Sequence, residues 1–85
     1  MAVELLYFAW VREAIGTGGE RVDPPGEVRT VADLLGWLSA RGGGHAVAFA
    51  EPGRLRAAID QIFVPMDHVI AGAREIAIFP PVTGG

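Results

Sequence analysis

A single amphipathic segment in the middle of the chain limits the folds that this sequence can adopt. Apolar residues recur there at the i, i+3, i+4 and i+7 spacing of one helical face: Val31, Leu34, Leu35 and Leu38. Thr30 is predicted to be the N-cap of this helix, and Asp33 completes a variant of the capping box. The helix is predicted to end near Arg41, before three consecutive glycines. With 85 residues the chain forms one domain, in which this one long helix can cover only one face of a sheet.

Apolar segments on both sides of this helix are predicted to form the strands of that sheet. They are Val3 to Phe8, Glu20 to Val22, Ala57 to Val64 as one interrupted strand or two short ones, and Arg74 to Phe79. A short helix from Trp10 to Ile15 follows the first strand and stops at Gly16. A right-handed crossover through the main helix would bring the first and last strands together as parallel neighbours. The pattern therefore predicts an α+β fold of the β-grasp type, with a mixed sheet and the main helix across one face.

The face of the sheet opposite the helix is predicted to carry exposed aromatic side chains. The first and last strands are apolar on both faces, so Phe8 and Phe79 point away from the helix, and Phe63 is placed beside them. An apolar patch of this kind marks a partner-binding surface. A short helical turn in the segment 45–56 is predicted to bury Phe49 in the core, and the alternative to an exposed patch is that this segment folds over it. The sequence pattern alone leaves both possibilities open.

The last residues of the chain divide it into two parts: residues 1–79 are predicted to be the β-grasp domain and residues 80–85 an extended tail. The tail begins with Pro80-Pro81, which lacks N–H donors, cannot continue a sheet ladder and favours an extended exit from the domain. Six extended residues reach at most about 20 Å. The tail ends with Gly84-Gly85, which has no side chains, so another protein's backbone can close around it. A frayed terminus is the alternative, but it gives no reason for the two stiff prolines.

The composition excludes several other functions. A net charge of −3 gives no basic surface for nucleic acid or anionic lipid. The absence of cysteine excludes disulfides, thiolate metal sites and a cysteine nucleophile, and we interpret His45 and His68 as structural or solvated residues. No signal peptide or apolar stretch of membrane-spanning length is found, so a cytoplasmic protein without membrane partners is predicted. All seven basic residues are arginine, so the chain offers no lysine as the amine acceptor of an isopeptide bond.

Two stretches of the sequence carry a specific resemblance to a known family. They are Tyr7-Phe8-Ala9-Trp10-Val11-Arg12-Glu13 followed by Ile15-Gly16-Thr17, and the closing Phe79-Pro80-Pro81-Val82-Thr83-Gly84-Gly85. Asp67-His68, Gly72 and Glu75-Ile76-Ala77 fit the approach to that ending. With these residues the chain resembles the small subunit of molybdopterin synthase, one of the ubiquitin-like sulfur carriers. The resemblance spans essentially the whole chain, and residues 41–56 are its least specific part.

The resemblance implies a non-catalytic carrier subunit rather than a self-contained enzyme. An ATP-dependent, adenylyltransferase-type activating enzyme would adenylate the carboxylate of Gly85, and a sulfur donor protein would convert it to a thiocarboxylate. The tail, with Gly84 next to the reacting group, would then deliver sulfur to cyclic pyranopterin monophosphate in the active site of the large synthase subunit, within a heterotetramer. The carrier itself would bind no cofactor or metal.

The resemblance also implies which residues contact the partners. Phe8, Phe63 and Phe79 match the position of the apolar interface with the large subunit, and Arg12 matches a position that the family uses toward its partners. The tail residues that would enter the partner's active site are Pro80, Pro81, Val82 and Thr83, followed by the two glycines.

Three other functions stay open at the level of the sequence. The chain could carry sulfur for another pathway, such as thiamine, cysteine or tRNA thiolation. It could be a ubiquitin-like protein modifier that forms isopeptide bonds through Gly85, or an adaptor domain whose tail is incidental.

Overall fold

Two hairpins, joined by a helical segment, and a fifth strand make up the fold of the computed structural model, which describes residues 2–81. In chain order the elements are β1 Val3–Tyr7, α1 Ala9–Ile15, β2 Gly19–Val22, α2 Val31–Ser39, α3 Gly43–Ala48, a 3-10 helix at Pro52–Arg54, β3 Arg56–Ile59, β4 Ile62–Val64 and β5 Glu75–Phe79. Each predicted strand is present, and the segment 57–64 forms two short strands rather than one.

The strands form one mixed sheet in the order β2-β1-β5-β3-β4. β1 and β5 are parallel neighbours at its centre, whereas the other pairs are antiparallel. The chain passes from the first hairpin through α2 to the second hairpin, and the predicted parallel pairing of the first and last strands and the β-grasp arrangement are confirmed. The predicted short helix after the first strand is present as α1, and the helical turn predicted near Phe49 is present as α3.

The main helix begins at a complete capping box. Thr30 Oγ1 accepts a hydrogen bond from the Asp33 backbone N–H (3.1 Å), and Asp33 Oδ2 accepts one from the Thr30 N–H (3.2 Å). Asp33 Oδ2 also accepts from the Arg29 N–H, and these backbone hydrogen bonds lower the pKa of the Asp33 carboxyl. All four residues of the apolar stripe are fully buried against the sheet. Burial of each such side chain is worth roughly 1.5–3 kcal/mol, so this one face of α2 supplies much of the core.

The segment 45–56 packs on the same face of the sheet as α2. Phe49, which follows α3, is 3% exposed, and its ring centroid lies 6.0 Å from that of Tyr7 on the inner face of β1. The prediction that a helical turn buries Phe49 in the core is therefore confirmed. The alternative, in which this segment covers the aromatic face of the sheet, is wrong. The physical reason is that α3 packs against α1 and α2 and not against the outer face.

The turn between β3 and β4 fixes the second hairpin. Asp60 and Gln61 have positive φ angles of 49° and 72°, as a two-residue turn with the right-handed twist of the strands requires. Asp60 Oδ1 accepts hydrogen bonds from the backbone N–H groups of Arg74 and Glu75, at 3.1 Å and 3.0 Å. The hairpin is thus tied to the start of β5, which determines where the side chains of β4 lie.

Two helical glycines give opposite predictions for substitution by alanine. A Cβ on Gly44 of α3 would overlap the carbonyl oxygen of Ala14 and lie 2.9 Å from Ile15 Cα, whereas a Cβ on Gly36 of α2 meets no atom within 4 Å. We expect Gly44→Ala to lower the free energy of unfolding by about 1–3 kcal/mol through overpacking. Gly36→Ala should raise it by about 0.5–1 kcal/mol, because alanine favours the helix. Urea denaturation of both variants measures the two signs, and a stable Gly44→Ala protein would contradict the close contact of α1 with α3.

Candidate functional site

The ends of the two central strands lie side by side at the point where the tail leaves the domain. The parallel register pairs Tyr7 with Ile78, and the Phe8 N–H donates a hydrogen bond to the Ile78 carbonyl (3.3 Å). Tyr7 and Ile78 face the core, so the next residue on each strand, Phe8 and Phe79, faces the opposite side. The sequence prediction that these two aromatic residues share the outer face is confirmed.

Phe63, in β4 of the second hairpin, lies on the same face of the sheet as Phe8 and Phe79. Its neighbour in the ladder is Ala58 of β3, which in turn pairs with Ala77 of β5. The rings of Phe63 and Phe79 lie 5.5 Å apart with an angle of 42° between their planes, a favourable tilted arrangement. Ala58 and Ala77, which lie beside these rings on the outer face, are too small to fill the space above the sheet.

These residues enclose a shallow apolar cleft of about 600 Å³. Its lining consists of Phe8, Ala9, Ala58, Gln61, Phe63, Ala77, Phe79, Pro80 and Pro81. Phe8 is 48% exposed and Phe63 78% exposed, although large apolar side chains are usually buried. A contiguous exposed patch of aromatic residues is typical of a surface that another molecule covers. We call this surface the phenylalanine cleft.

The corner between β1 and α1 contains a strained residue. Ala9 has φ 52°, a left-handed conformation that costs a residue with a Cβ about 1 kcal/mol or more. The chain turns there from the strand into the helix, and Phe8 stays on the outer face at the rim of the cleft.

The predicted tail residues fall into two groups. Pro80 and Pro81 follow β5 outside any strand and line the phenylalanine cleft. Val82, Thr83, Gly84 and Gly85 lie outside the described residues. The division of the chain into residues 1–79 and 80–85 stays a prediction.

Arg12 does not lie in the phenylalanine cleft. It is an exposed residue of α1, and its side chain lies over Gly18, where an added Cβ would be 3.4 Å from the Arg12 Nε. The structure therefore does not bring Arg12 together with the three phenylalanines, and a role for it toward a partner stays a prediction.

A polar cluster on the inner side of the sheet was not predicted from the sequence. Glu20 of β2 is its centre: Tyr7 Oη donates to Glu20 Oε2 (2.7 Å), Arg41 Nη1 donates to Oε1 (2.8 Å), and His45 Nε2 lies 2.6 Å from Oε2. Because a carboxylate only accepts hydrogen bonds, His45 Nε2 is the donor in the last of these. The register of β1 with β2 sets Glu20 opposite the buried Leu5, and the spacing of residues along the chain does not supply that register.

This cluster changes the acid–base properties of two of its members. Partial burial opposes charge on Glu20, but the hydrogen bonds from His45, Tyr7 and Arg41 outweigh it and lower the pKa of Glu20 from 4.5 to about 2. Burial, followed by the hydrogen bond to Glu20, raises the pKa of the Tyr7 hydroxyl. No buried side-chain nitrogen or oxygen within residues 2–81 lacks a hydrogen-bond partner, so we interpret the cluster as a structural link between β1, β2 and the helices. His45 is thus hydrogen-bonded within this cluster, and the interpretation of it as a structural or solvated residue stays a prediction.

The described residues offer little for other kinds of site. Within residues 2–81 no group of three or more histidine, aspartate or glutamate side chains is placed to hold a metal ion. Over the same range no helix has the length and apolarity needed to cross a membrane. His68 is exposed and its backbone N–H donates to the Pro65 carbonyl in a turn.

Comparisons with a family model, with known sequences and with solved structures all find proteins similar to this chain. The model of the ThiS family matches residues 5–85. The chain is 40% identical to the molybdopterin synthase sulfur carrier subunit of Escherichia coli (strain K12) over 83 residues, which are 98% of this chain and 99% of that protein. It is 35% identical to the protein of the same name from Haemophilus influenzae, over the same shares of both chains. Among solved structures, SAMP1 from Haloferax volcanii aligns over 100% of both chains with a TM-score of 0.73 and 26% identity.

The Glu20 cluster predicts how stability depends on pH. A carboxyl with a lowered pKa stabilises the folded state above its unfolded pKa, and this contribution is lost as the pH falls toward the folded value. The free energy of unfolding should therefore fall between pH 4.5 and about 2, by about 2 kcal/mol more in the wild type than in Glu20→Gln.

Urea denaturation at several pH values measures this difference. Glu27→Gln, at an exposed position in the loop before α2, is the control and should retain the wild-type slope. Equal slopes for Glu20→Gln and the wild type would contradict the assignment of the lowered pKa to this cluster.

Proposed function

This chain belongs to the ThiS family, and we propose that it is the sulfur carrier of molybdopterin synthesis, with the sulfur held on the carboxyl group of Gly85. The family match includes the Gly-Gly ending, and the two relatives of similar length are named as sulfur carrier subunits. One structural observation carries the proposal furthest: the tail leaves the domain from the wall of an exposed apolar cleft. A protein that covers the phenylalanine cleft necessarily receives the tail next to it.

The proposed reaction begins with activation of a poor electrophile. The Gly85 carboxylate attacks the α-phosphate of ATP on an activating enzyme, which gives an acyl adenylate and releases pyrophosphate. A sulfur donor at the sulfide level then attacks the acyl carbon; a C–S bond forms, the C–O bond to AMP breaks, and the product is a thiocarboxylate. The adenylate supplies the leaving group that a free carboxylate lacks.

The loaded tail then transfers its sulfur in the active site of the large synthase subunit. The thiocarboxylate sulfur forms a C–S bond to a carbon of cyclic pyranopterin monophosphate, while a C–O bond at that carbon breaks and its oxygen leaves. Water later hydrolyses the acyl–sulfur bond, so sulfur stays on the pterin and Gly85 regains an oxygen from water. Two loaded carriers are needed for the two sulfur atoms of one dithiolene, which fits the proposed heterotetramer with two carriers.

The residues of the tail are of types that can enter two different active sites in turn, first that of the activating enzyme and then that of the large subunit. Gly84 and Gly85 have no Cβ, so enzyme groups can approach the carbonyl from either side. Pro80 and Pro81 restrict the backbone before docking, which lowers the entropy lost when the tail is bound. Val82 and Thr83 lie between the prolines and the glycines and would contact the walls of the partner's channel.

The phenylalanine cleft is the surface that we propose for the large subunit. Phe8, Phe63 and Phe79 present apolar area next to Pro80, so burial of this area is favourable and also directs the tail. Arg12, on the neighbouring helix, is proposed as a polar contact at the edge of a partner. The chain itself holds no cofactor in this scheme; ATP is bound by the activating enzyme, and the reactions occur in the cytoplasm.

The proposed chemistry predicts a specific change of mass. Incubation with the activating enzyme, ATP and a sulfur donor should replace one oxygen of Gly85 by sulfur, a gain of about 16 Da in the intact mass. Deletion of Gly85 should abolish this gain and leave the melting temperature unchanged, because the residue is predicted to lie outside the core.

The wild type and the deletion variant together separate the outcomes. No gain of mass in the wild type with the activating enzyme of its own organism would overturn the proposal. Sulfur transfer by the variant without Gly85 would show that the reacting group lies elsewhere.

Adjacent residues of β4 provide a matched test of the cleft. Phe63 and Ile62 are 78% and 69% exposed, but they point to opposite faces of the strand. Phe63→Asp should weaken the complex with the large subunit by about tenfold or more, because a charge would be buried in an apolar contact. Ile62→Asp should have little effect on the affinity.

Isothermal titration with the purified large subunit measures both variants, and circular dichroism confirms that each is folded. Equal affinities for the wild type and Phe63→Asp would exclude the phenylalanine cleft as the interface.

A second candidate function follows from the same activated tail. An acyl adenylate or thioester at Gly85 can be attacked by an amine, as in protein modifiers. The absence of lysine from this chain means that the acceptor would lie on another protein or be the chain's own N-terminus. An adduct to another protein that resists thiols and hydroxylamine would favour the modifier.

A further inference from the structure

Arg56 lies on the outer face of the sheet, beside the last residue before the tail. The β3–β5 register pairs it directly with Phe79. Its neighbour Ala57 is buried in the core, so the side chain of Arg56 points to the same side as the phenylalanines. A second cleft of about 350 Å³ lies against the first, and Arg56 lines it together with Phe63, Phe79 and Pro81.

The guanidinium group of Arg56 is held in place by the backbone. Its Nη1 donates to the Leu55 carbonyl at 2.8 Å and to the Gly53 carbonyl at 3.4 Å. A guanidinium has five N–H donors, and none on the Nε–Nη2 edge forms a hydrogen bond with another group of residues 2–81. That edge has the geometry that binds a carboxylate through two parallel hydrogen bonds.

The charge of Arg56 is not neutralised within the described part of the chain. No carboxylate of residues 2–81 lies within ion-pair distance of it, whereas Arg21 is paired with Glu4 and Arg41 with Glu20. Unlike a paired surface charge, this positive charge beside an apolar cleft has no carboxylate partner among the described residues. It is available to a group that approaches from outside.

We propose that Arg56 binds a carboxylate side chain of the large synthase subunit, next to the apolar group that covers the phenylalanine cleft. This inference rests on the function proposed above and adds a polar contact to it. The backbone contacts preorganise the guanidinium, so little side-chain entropy is lost on binding. Complementary charge at this point fixes the orientation of the partner on the sheet and thus the direction in which the tail enters it.

The test compares three arginine variants in binding to the purified large subunit by isothermal titration. Arg56→Glu should raise the Kd by about tenfold or more at low salt, and Arg56→Lys by about threefold because lysine cannot bind a carboxylate through two parallel hydrogen bonds. Arg29→Glu carries the same change of charge at the opposite end of the strands, where Arg29 lines a pocket with Val3 and Ile76. Its Kd should stay within about twofold of the wild type.

The variants distinguish failure of this inference from failure of the proposed function. If the wild type binds the large subunit and Arg56→Glu binds equally well, the Arg56 contact is overturned while the carrier function stands. Equal weakening by Arg56→Glu and Arg29→Glu also overturns it, since the effect is then one of net charge. If the wild type itself does not bind, both proposals are overturned. Arg56→Lys, which keeps the charge, is the variant to rely on if Arg56→Glu does not fold.

Discussion

The parallel pairing of β1 with β5 is the contact on which the site depends. These strands come from opposite ends of the chain, and their register sets Tyr7 beside Ile78. The residues that follow, Phe8 and Phe79, therefore reach the same edge of the sheet, where the tail begins. A shift of β1 by one residue against β5 would turn Phe8 into the core and Tyr7 out of it, so Phe8 would no longer share a face with Phe79. The crossover through α2 makes the parallel pairing possible, so the capped helix indirectly positions the cleft.

One face of the sheet forms the core and the other carries the cleft, because the helices all pack on one face. α2 and Phe49 complete the core on the inner face, and the Glu20 cluster there joins strands and helices through three hydrogen bonds. On the outer face, small residues at Ala58 and Ala77 leave a cleft between aromatic rings. Phe8 and Phe63 contribute little to the core, since about half of the first side chain and most of the second are exposed. Their substitution can therefore affect binding far more than stability.

Much of this arrangement could be predicted from the sequence, for reasons that particular residues make clear. The stripe of α2, its Thr30–Asp33 cap and the alternation in β1 and β5 are local patterns, and each appears in the structure as predicted. The position of the segment 45–56 was not decided, because a short glycine-flanked helix has no strong periodicity. The roles of Glu20 and Arg56 depend on which residues lie opposite them in the ladder. Register across a sheet is a long-range property that spacing along the chain does not supply.

The position of the prolines limits where the partner's reactive centre can lie. Pro80 and Pro81 line the cleft, so the tail begins at a fixed place on the domain, and four residues follow Pro81. Four extended residues span at most about 14 Å. In the proposed complex, the atoms that react with Gly85 must therefore lie within about that distance of the cleft. A partner cannot bind the domain at one site and receive the tail at a remote one, so docking surface and active site have to be neighbours in each protein that acts on the tail.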